Sequence, residues 1–394
     1  MALNCGGRAI LAAPRRRKYQ SMDRTYKNNF TRGIVLSATL GALAFTGTYT
    51  GAFAGAFGGA VQVAGRSTFS AVSSVRADEV NLYSSRQPFL MKPLLAAFTE
   101  ETGIKVNMVY LKKGMLERLK SEGRNSPADL ILVSDIGNLH NHDKAGLLQP
   151  VTSPNLSANI PAQYRHPSGN WFGLTVRARV IYASKTRLKA GEVTTYEDLA
   201  DPRMKGRVCI RSGKHVYNIS LLASIVVAKG EAGATAWAKG LKANLARRPQ
   251  GNDRAQVRAV FEGECDVAVG NTYYMGKMAT NKKDPIQKEW AKSVRIIFPN
   301  QAGRGTHVNV SGAAVTKSAK NKANAVRLIE FLSDDAAQKI YAEQNFEYPV
   351  KAGVALHPLV ASWGRFKADK AYLSKIANKR TTATKLVDKV AFNN

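Results

Sequence analysis

The feature that most constrains the fold is a repeated switch of hydrophobic period after Ala77, from short apolar strands to helical stretches and back. Strands are predicted at Val80-Asn-Leu-Tyr-Ser84, Ile104 to Leu111 and Asp129-Leu-Ile-Leu-Val133, with helices over 93–101 (closed by Gly103) and 115–122 between them. The pattern restarts with strands at Arg179-Val-Ile-Tyr-Ala183, Gly206-Arg-Val-Cys-Ile210 and Asp266-Val-Ala-Val-Gly270, and again at Val308-Asn-Val-Ser-Gly312. Helical patterns cover 219–229, 232–245, 252–262 and 322–332. Such β-α-β order predicts an α/β fold with mixed, mostly parallel sheets covered by helices on both faces. Two lobes joined by a chain that crosses between them suit this arrangement: 78–175 with 304–340 as lobe 1, and 176–303 as lobe 2. Residues 341–394 are expected to add C-terminal helices packed on the lobes.

The first 77 residues have a different character. A basic opening (Arg15, Arg16, Arg17, Lys18, then Arg24, Lys27 and Arg32) precedes the apolar run Ile34–Phe45, and no charge occurs between Arg32 and Arg66. Basic flank, apolar run and small-residue exit describe an export signal. Ala52-Phe53-Ala54 and Val75-Arg76-Ala77 both fit a cleavage site, and the second lies just before the first strand. Met22 is an alternative start, since the signal pattern is complete without residues 1–21. The competing reading is a retained anchor, because the uncharged stretch is long enough to span a bilayer. Its Gly, Ala and Thr content makes a weak spanning helix, so removal is expected, leaving a periplasmic protein.

With 44% hydrophobic and 22% charged residues in 394, the chain can bury a large core, which excludes a disordered class. The net charge of +30 belongs to the body as well as the leader. Such an excess attracts anions and anionic polymers through its long-range field. Lys and Arg are spread along the chain without a nucleic-acid module, so no nucleic-acid partner is expected. Walker A, GxSxG, HExxH, CxxC and Rossmann signatures are all missing.

Chemistry concentrates at Gly270-Asn271-Thr272-Tyr273-Tyr274, directly after an apolar strand. Ligands of open α/β sheets bind at that carboxyl end. Tyr217 follows a neighbouring strand across the loop Arg211-Ser-Gly-Lys-His215, so three phenols can converge. Oxygen donors suit a hard cation, and three phenolates cancel the charge of Fe(III). A free phenol has a pKa near 10, so the metal must displace the protons, and nearby Arg favours the charged oxygens. The plain alternative is that these tyrosines are ordinary core or surface residues.

The run from about Val80 to Val350 resembles the ferric-ion-binding periplasmic proteins of bacterial ABC importers, the bacterial transferrins. The resemblance rests on Leu82-Tyr-Ser-Ser-Arg-Gln-Pro-Phe-Leu90, Ser126-Pro-Ala-Asp129, Trp171-Phe-Gly-Leu-Thr175, Gly270-Asn-Thr-Tyr-Tyr274 and Asn345-Phe-Glu-Tyr-Pro-Val350. It implies a type II Venus-flytrap protein, a monomer rather than an enzyme. Its two lobes would close over one Fe(III) and deliver it to a permease with its ATPase. It further implies Tyr217, Tyr273 and Tyr274 as metal ligands and Arg177 as a cation offsetting phenolate charge. Ser212 and Asn271 would contact a synergistic anion, or else serve as turn and cap residues. Where many members carry a His or Tyr ligand, this chain has Gln87 and Pro88. Water, carbonate or citrate is therefore expected to complete the coordination. Asp135 is a candidate carboxylate ligand or, more simply, a helix cap, and His215 is expected to face elsewhere.

Cys209 lies in one predicted strand and Cys265 just before another, while Cys5 belongs to the leader. In an exported chain the pair is expected to oxidise; two buried thiols are the competing state. Two other functions remain open on the same scaffold. One is binding of a small oxyanion or phosphonate through Ser84, Ser85, Arg177 and Ser212. The other is a cysteine-dependent enzyme, which needs an exposed, low-pKa thiol. A third, weaker reading makes the charge an adhesion to envelope polymers. Capture of Fe(III) ranks first. Mass spectrometry of the exported protein is expected to find a new N terminus at Asp78; an intact leader on a membrane-bound product would establish the anchor instead.

Overall fold

A computed structural model describes residues 78–394; the leader, its cleavage sites and Cys5 lie outside them. In chain order the first part contains β1 (Glu79–Ser84), α1 (Pro88–Thr102), β2 (Lys105–Tyr110), α2 (Met115–Glu122), β3 (Leu130–Ser134), α3 (Ile136–Lys144), α4 (Pro154–Asn159) and β4 (Phe172–Ser184). Then follow β5 (Val208–Cys209), α5 (Val216–Ala243), α6 (Asp253–Phe261), β6 (Val267–Asn271), α7 (Tyr273–Ala279), α8 (Ile286–Ser293) and β7 (Val294–Ile297). The last part comprises β8 (Val308–Val315), α9 (Lys322–Ser333), α10 (Asp335–Asn345), β9 (Tyr348–Pro349), α11 (Pro358–Ala361), α12 (Leu373–Asn378) and α13 (Arg380–Lys389).

The strands run in the order β2-β1-β3-β8-β4-β6-β5, with β7 and β9 also paired to β4. Parallel pairings lie at the two ends, β1 with β2 and β3, and β5 with β6. Around β4 and β8 the pairings are antiparallel. The whole of β4 is buried, and it belongs to both halves of the structure. Its residues up to Ala178 pair with β8, whereas Arg179 onward pairs with β6. The strand predicted at 179–183 is thus only the second half of a longer element.

Burial explains most of the elements. Leu130, Ile131, Leu132 and Val133 are all inaccessible, as a strand covered on both faces requires. α1 begins five residues before the predicted start, because Pro88 occupies its first position, where no intrahelical N–H is needed, and Pro93 lies inside it. Gly103 closes that helix in the left-handed region at φ 72°. The two helices predicted over 219–229 and 232–245 are two segments of α5 that meet at Gly230, whose φ of 71° and ψ of 177° break the helical path.

Cys209 and Cys265 are joined by a disulfide with a Cα–Cα separation of 5.9 Å. It links the end of β5 to the residue two before β6, and the two strands share only two paired positions. Closing a loop with a sequence separation of 56 residues constrains the unfolded chain. The double variant C209S/C265S is expected to lose about 4 kcal/mol of stability in denaturant titration; an unchanged midpoint would show that the bond adds nothing.

Candidate metal centre

Tyr273 and Tyr274 open the first turn of α7, immediately beyond the carboxyl end of β6. Two backbone-level contacts hold that turn. The Thr272 N–H donates to the Ala178 carbonyl at 3.0 Å, and the Thr272 hydroxyl accepts from the Ala178 N–H at 3.3 Å. Gly270 admits the Tyr182 ring, which a Cβ there would meet at 2.3 Å, and the Tyr182 hydroxyl donates to the Asn271 carbonyl. Tyr217 stands in the first turn of α5, with its N–H donating to His215 Nδ1 at 3.3 Å.

The structure brings the three predicted tyrosines together. The Tyr217 and Tyr273 hydroxyls are 3.1 Å apart, and the Tyr273 and Tyr274 rings lie 4.3 Å apart by centroid. All three are partly buried. Burial, followed by the neighbouring phenol of Tyr217, holds the Tyr273 phenol well above its ordinary pKa, although Arg177 pulls it back. Burial, then Tyr217 and Asp253, pushes Tyr274 up to about 12.

Cations surround this cluster. The Arg211 and Arg179 guanidiniums lie 5.3 and 5.8 Å from the Tyr217 ring centre, Arg254 lies 5.9 Å from that of Tyr274, and Lys277 Nζ lies 5.1 Å from that of Tyr273. Burial brings Lys277 down to about 8. Asp253, fully buried, accepts from Arg179 at 2.7 Å, from Arg211 at 3.1 Å and from the Asn271 N–H at 3.0 Å. Asn271 accepts from Arg179 at 3.1 Å, and its own side-chain amide nitrogen has no protein partner.

The other side of the cluster is built by β4, β8 and the turn after β1. Arg86 makes a two-pronged pair with buried Glu347, at 3.0 and 2.8 Å, and donates to Ser311 at 2.8 Å. Arg177, 2% exposed, donates to the same Ser311 hydroxyl at 2.8 Å. Its Nε and second terminal nitrogen are buried without a protein partner. A buried donor left unpaired costs free energy, so this guanidinium edge is chemically suited to an anion. Among the described residues, no group of three or more His, Cys, Asp or Glu is placed to hold a metal ion.

The other predicted positions take distinct places. Ser212 Oγ bonds to Asn393 and accepts from the Lys214 N–H. Ser84 Oγ accepts from the Arg86 N–H and Ser85 Oγ from the Ser134 N–H. Gln87 and Pro88 are exposed at the start of α1. Asp135 caps α3, accepting from the Gly137 N–H at 2.7 Å, and also receives bonds from Ser220, Asn309 and Arg380. Burial, followed by Arg211 and Arg179, brings His215 down to about 4, so it is neutral at ordinary pH.

Sequence reasoning missed Arg86, Arg179, Arg211, Arg254, Lys277, Glu347, Asp253 and Ser311. One signal was present: Arg177 and Arg179 alternate within a strand that is otherwise almost wholly apolar.

Residues 125–368 match the family of bacterial extracellular solute-binding proteins. The chain is 51% identical to iron uptake protein A1 of Synechocystis sp., covering 80% of this chain and 87% of that protein. It is similar to the structure of Mannheimia haemolytica ferric iron-binding protein A in an open conformation, with TM-score 0.77, 50% identity, and 81% and 100% of the two chains covered. The Trichodesmium protein IdiA (FutA), solved in complex with iron and citrate ligands, matches at TM-score 0.77 and 44% identity over 80% and 99%. The chain therefore has the two-lobed type II binding-protein fold and belongs to the bacterial extracellular solute-binding protein family.

Proposed function

We propose that this protein captures Fe(III) outside the cytoplasm through Tyr217, Tyr273 and Tyr274 and delivers it to an ABC importer, without catalysing a reaction. The names of its relatives support iron as cargo. The observation that carries the ligand set is the 3.1 Å approach of the Tyr217 and Tyr273 hydroxyls, inside a ring of guanidinium groups. Three phenolates neutralise Fe(III), and oxygen donors match its hardness. The cations help the phenols lose their protons once the metal arrives. The free edge of Arg177 is suited to a synergistic anion such as carbonate or citrate, which would fill coordination positions that Gln87 and Pro88 leave open. The two halves that share β4 act as lobes, 78–175 with 304–340 and 176–303. Tighter binding of iron to the closed arrangement drives their closure. Protonation or reduction to Fe(II) weakens phenolate binding and frees the ion for a permease and its ATPase.

Adding Fe(III)-citrate to the purified protein is expected to produce an orange-red phenolate charge-transfer band. The band should vanish in the Y217F/Y273F/Y274F variant. A colourless wild-type protein that takes up no iron would sink this reading and favour a plain oxyanion ligand on Arg177.

Binding should also depend steeply on pH. Tyr273 and Tyr274 hold their protons at neutral pH in the metal-free protein, and each gives one up to bind. The metal competes with those protons, so affinity rises with pH up to the metal-free pKa values and falls as pH drops. These two phenols together are expected to lower affinity about a hundredfold per pH unit of acidification, measured by competition with a chelator of known protonation. A flat profile would show that neither phenol is a ligand.

A further inference from the structure

The stretch 212–220 presents Tyr217, and most of its first half is loop. A helix end entered from a loop can fray, whereas a rigid donor set requires each oxygen to be held in place. Besides the bonds of Arg179 to Asn218 and of Ser220 to Asp135, the C-terminal segment grips this stretch at both ends. At one end, Asn393 accepts from the Gly213 N–H at 2.8 Å and donates to Ser212 Oγ at 3.1 Å. Buried Phe392 closes the same point, where a Cβ on Gly213 would meet its ring at 2.7 Å. At the other end, Arg380 donates to Ser220 Oγ at 2.5 Å, to the Val216 carbonyl at 3.3 Å and to Asp135 at 3.2 Å.

Asp135 makes the second grip rigid. It is inaccessible to solvent, holds a φ of 82°, and also accepts from Asn309 at 2.9 Å. A non-glycine residue in that backbone region persists only where its surroundings over-determine it. The Arg380 guanidinium also lies flat on Gly137, leaving no room for a Cβ. The first turn of α5 is therefore fastened through one arginine to the turn between β3 and α3. Between the two grips runs α13, packed along α5.

We infer that the C-terminal segment Arg380–Asn394 is a positioning element of the phenol site, gripping both ends of the stretch that presents Tyr217. The inference rests on the iron reading above. Neither Arg380 nor Asn393 bonds to a phenol hydroxyl; each acts through the placement of the Tyr217 hydroxyl against Tyr273.

The test is a double-mutant cycle on the full mature chain, with Fe(III) affinity read by competition with an aminocarboxylate chelator at fixed carbonate and the charge-transfer maximum read in the same samples. R380Q/N393A is expected to lose about tenfold in affinity and to shift the band, since coupled neighbours interact at this level. Adding Y217F to it should cost no more than Y217F alone, because the strap then has no phenol to place. R380K in place of R380Q, which keeps the charge and a donor group but not the planar fork, should recover part of the loss. Additive losses would overturn the inference and make the segment a general stabiliser, as would a double variant with wild-type affinity and band. Should the double variant fail to fold, N393A alone carries the same cycle against Y217F: a loss that Y217F absorbs supports the inference, and an additive loss or none overturns it. A wild-type protein without the band overturns the iron reading, and this inference with it; a normal wild-type band with additive losses overturns the inference only.

Discussion

Asp253 is completely buried, yet it accepts from Arg179, from Arg211 and from the backbone of Asn271. A lone carboxylate there would be costly, and removing either charge from such a pair leaves the other uncompensated by several kcal/mol. The bonds therefore hold one another in place, and they fix the elements that matter. Arg179 comes from β4, Arg211 from the loop after β5, Asn271 from the end of β6 and Asp253 from the start of α6. Arg179 also donates to Asn218 at 2.8 Å, next to Tyr217. One buried ionic node thus sets how the two tyrosine-bearing turns approach each other.

A matching node lies across the cluster. Glu347 takes both prongs of Arg86 and a bond from Thr175, while Ser311 takes one donor from Arg86 and one from Arg177. Both nodes leave guanidinium nitrogens without a protein partner, on Arg179 and Arg211 in the first and on Arg86 and Arg177 in the second. Asp253 and Glu347 are fully engaged, but Arg177 keeps two nitrogens unpaired. Arg177 thus has no carboxylate partner of its own and borders the phenols with an unpaired edge. An entering ion and its anion would complete a set of bonds that the fold has begun.

The layout was legible where physics is local. Leu130–Val133 and Val267–Val269 advertise buried strands, Gly103 marks the end of α1, and Tyr273 and Tyr274 follow a strand end directly. Tyr217 was reachable because its loop also follows a strand. What could not be read were partners distant in the chain. Glu347 meets Arg86 across 261 residues and Asp253 meets Arg179 across 74, and no periodicity encodes either meeting. Ser212 shows the same limit, since its hydroxyl is engaged by Asn393, 181 residues on. The length of β4 was missed for another reason. Its buried arginines interrupt the apolar run that would have announced one continuous strand.

The disulfide has a consequence for when the site becomes competent. β5 and β6 pair over only two residues, and the chain just beyond their far ends presents Tyr217 on one side and Tyr273 with Tyr274 on the other. The Cys209–Cys265 bond thus adds a covalent brace at a place where the backbone ladder is only two residues long. Before the thiols are oxidised, the spacing of the phenols rests on noncovalent contacts alone. If the phenols hold iron as proposed, the site would gain this covalent restraint only where the chain is oxidised, as exported proteins are.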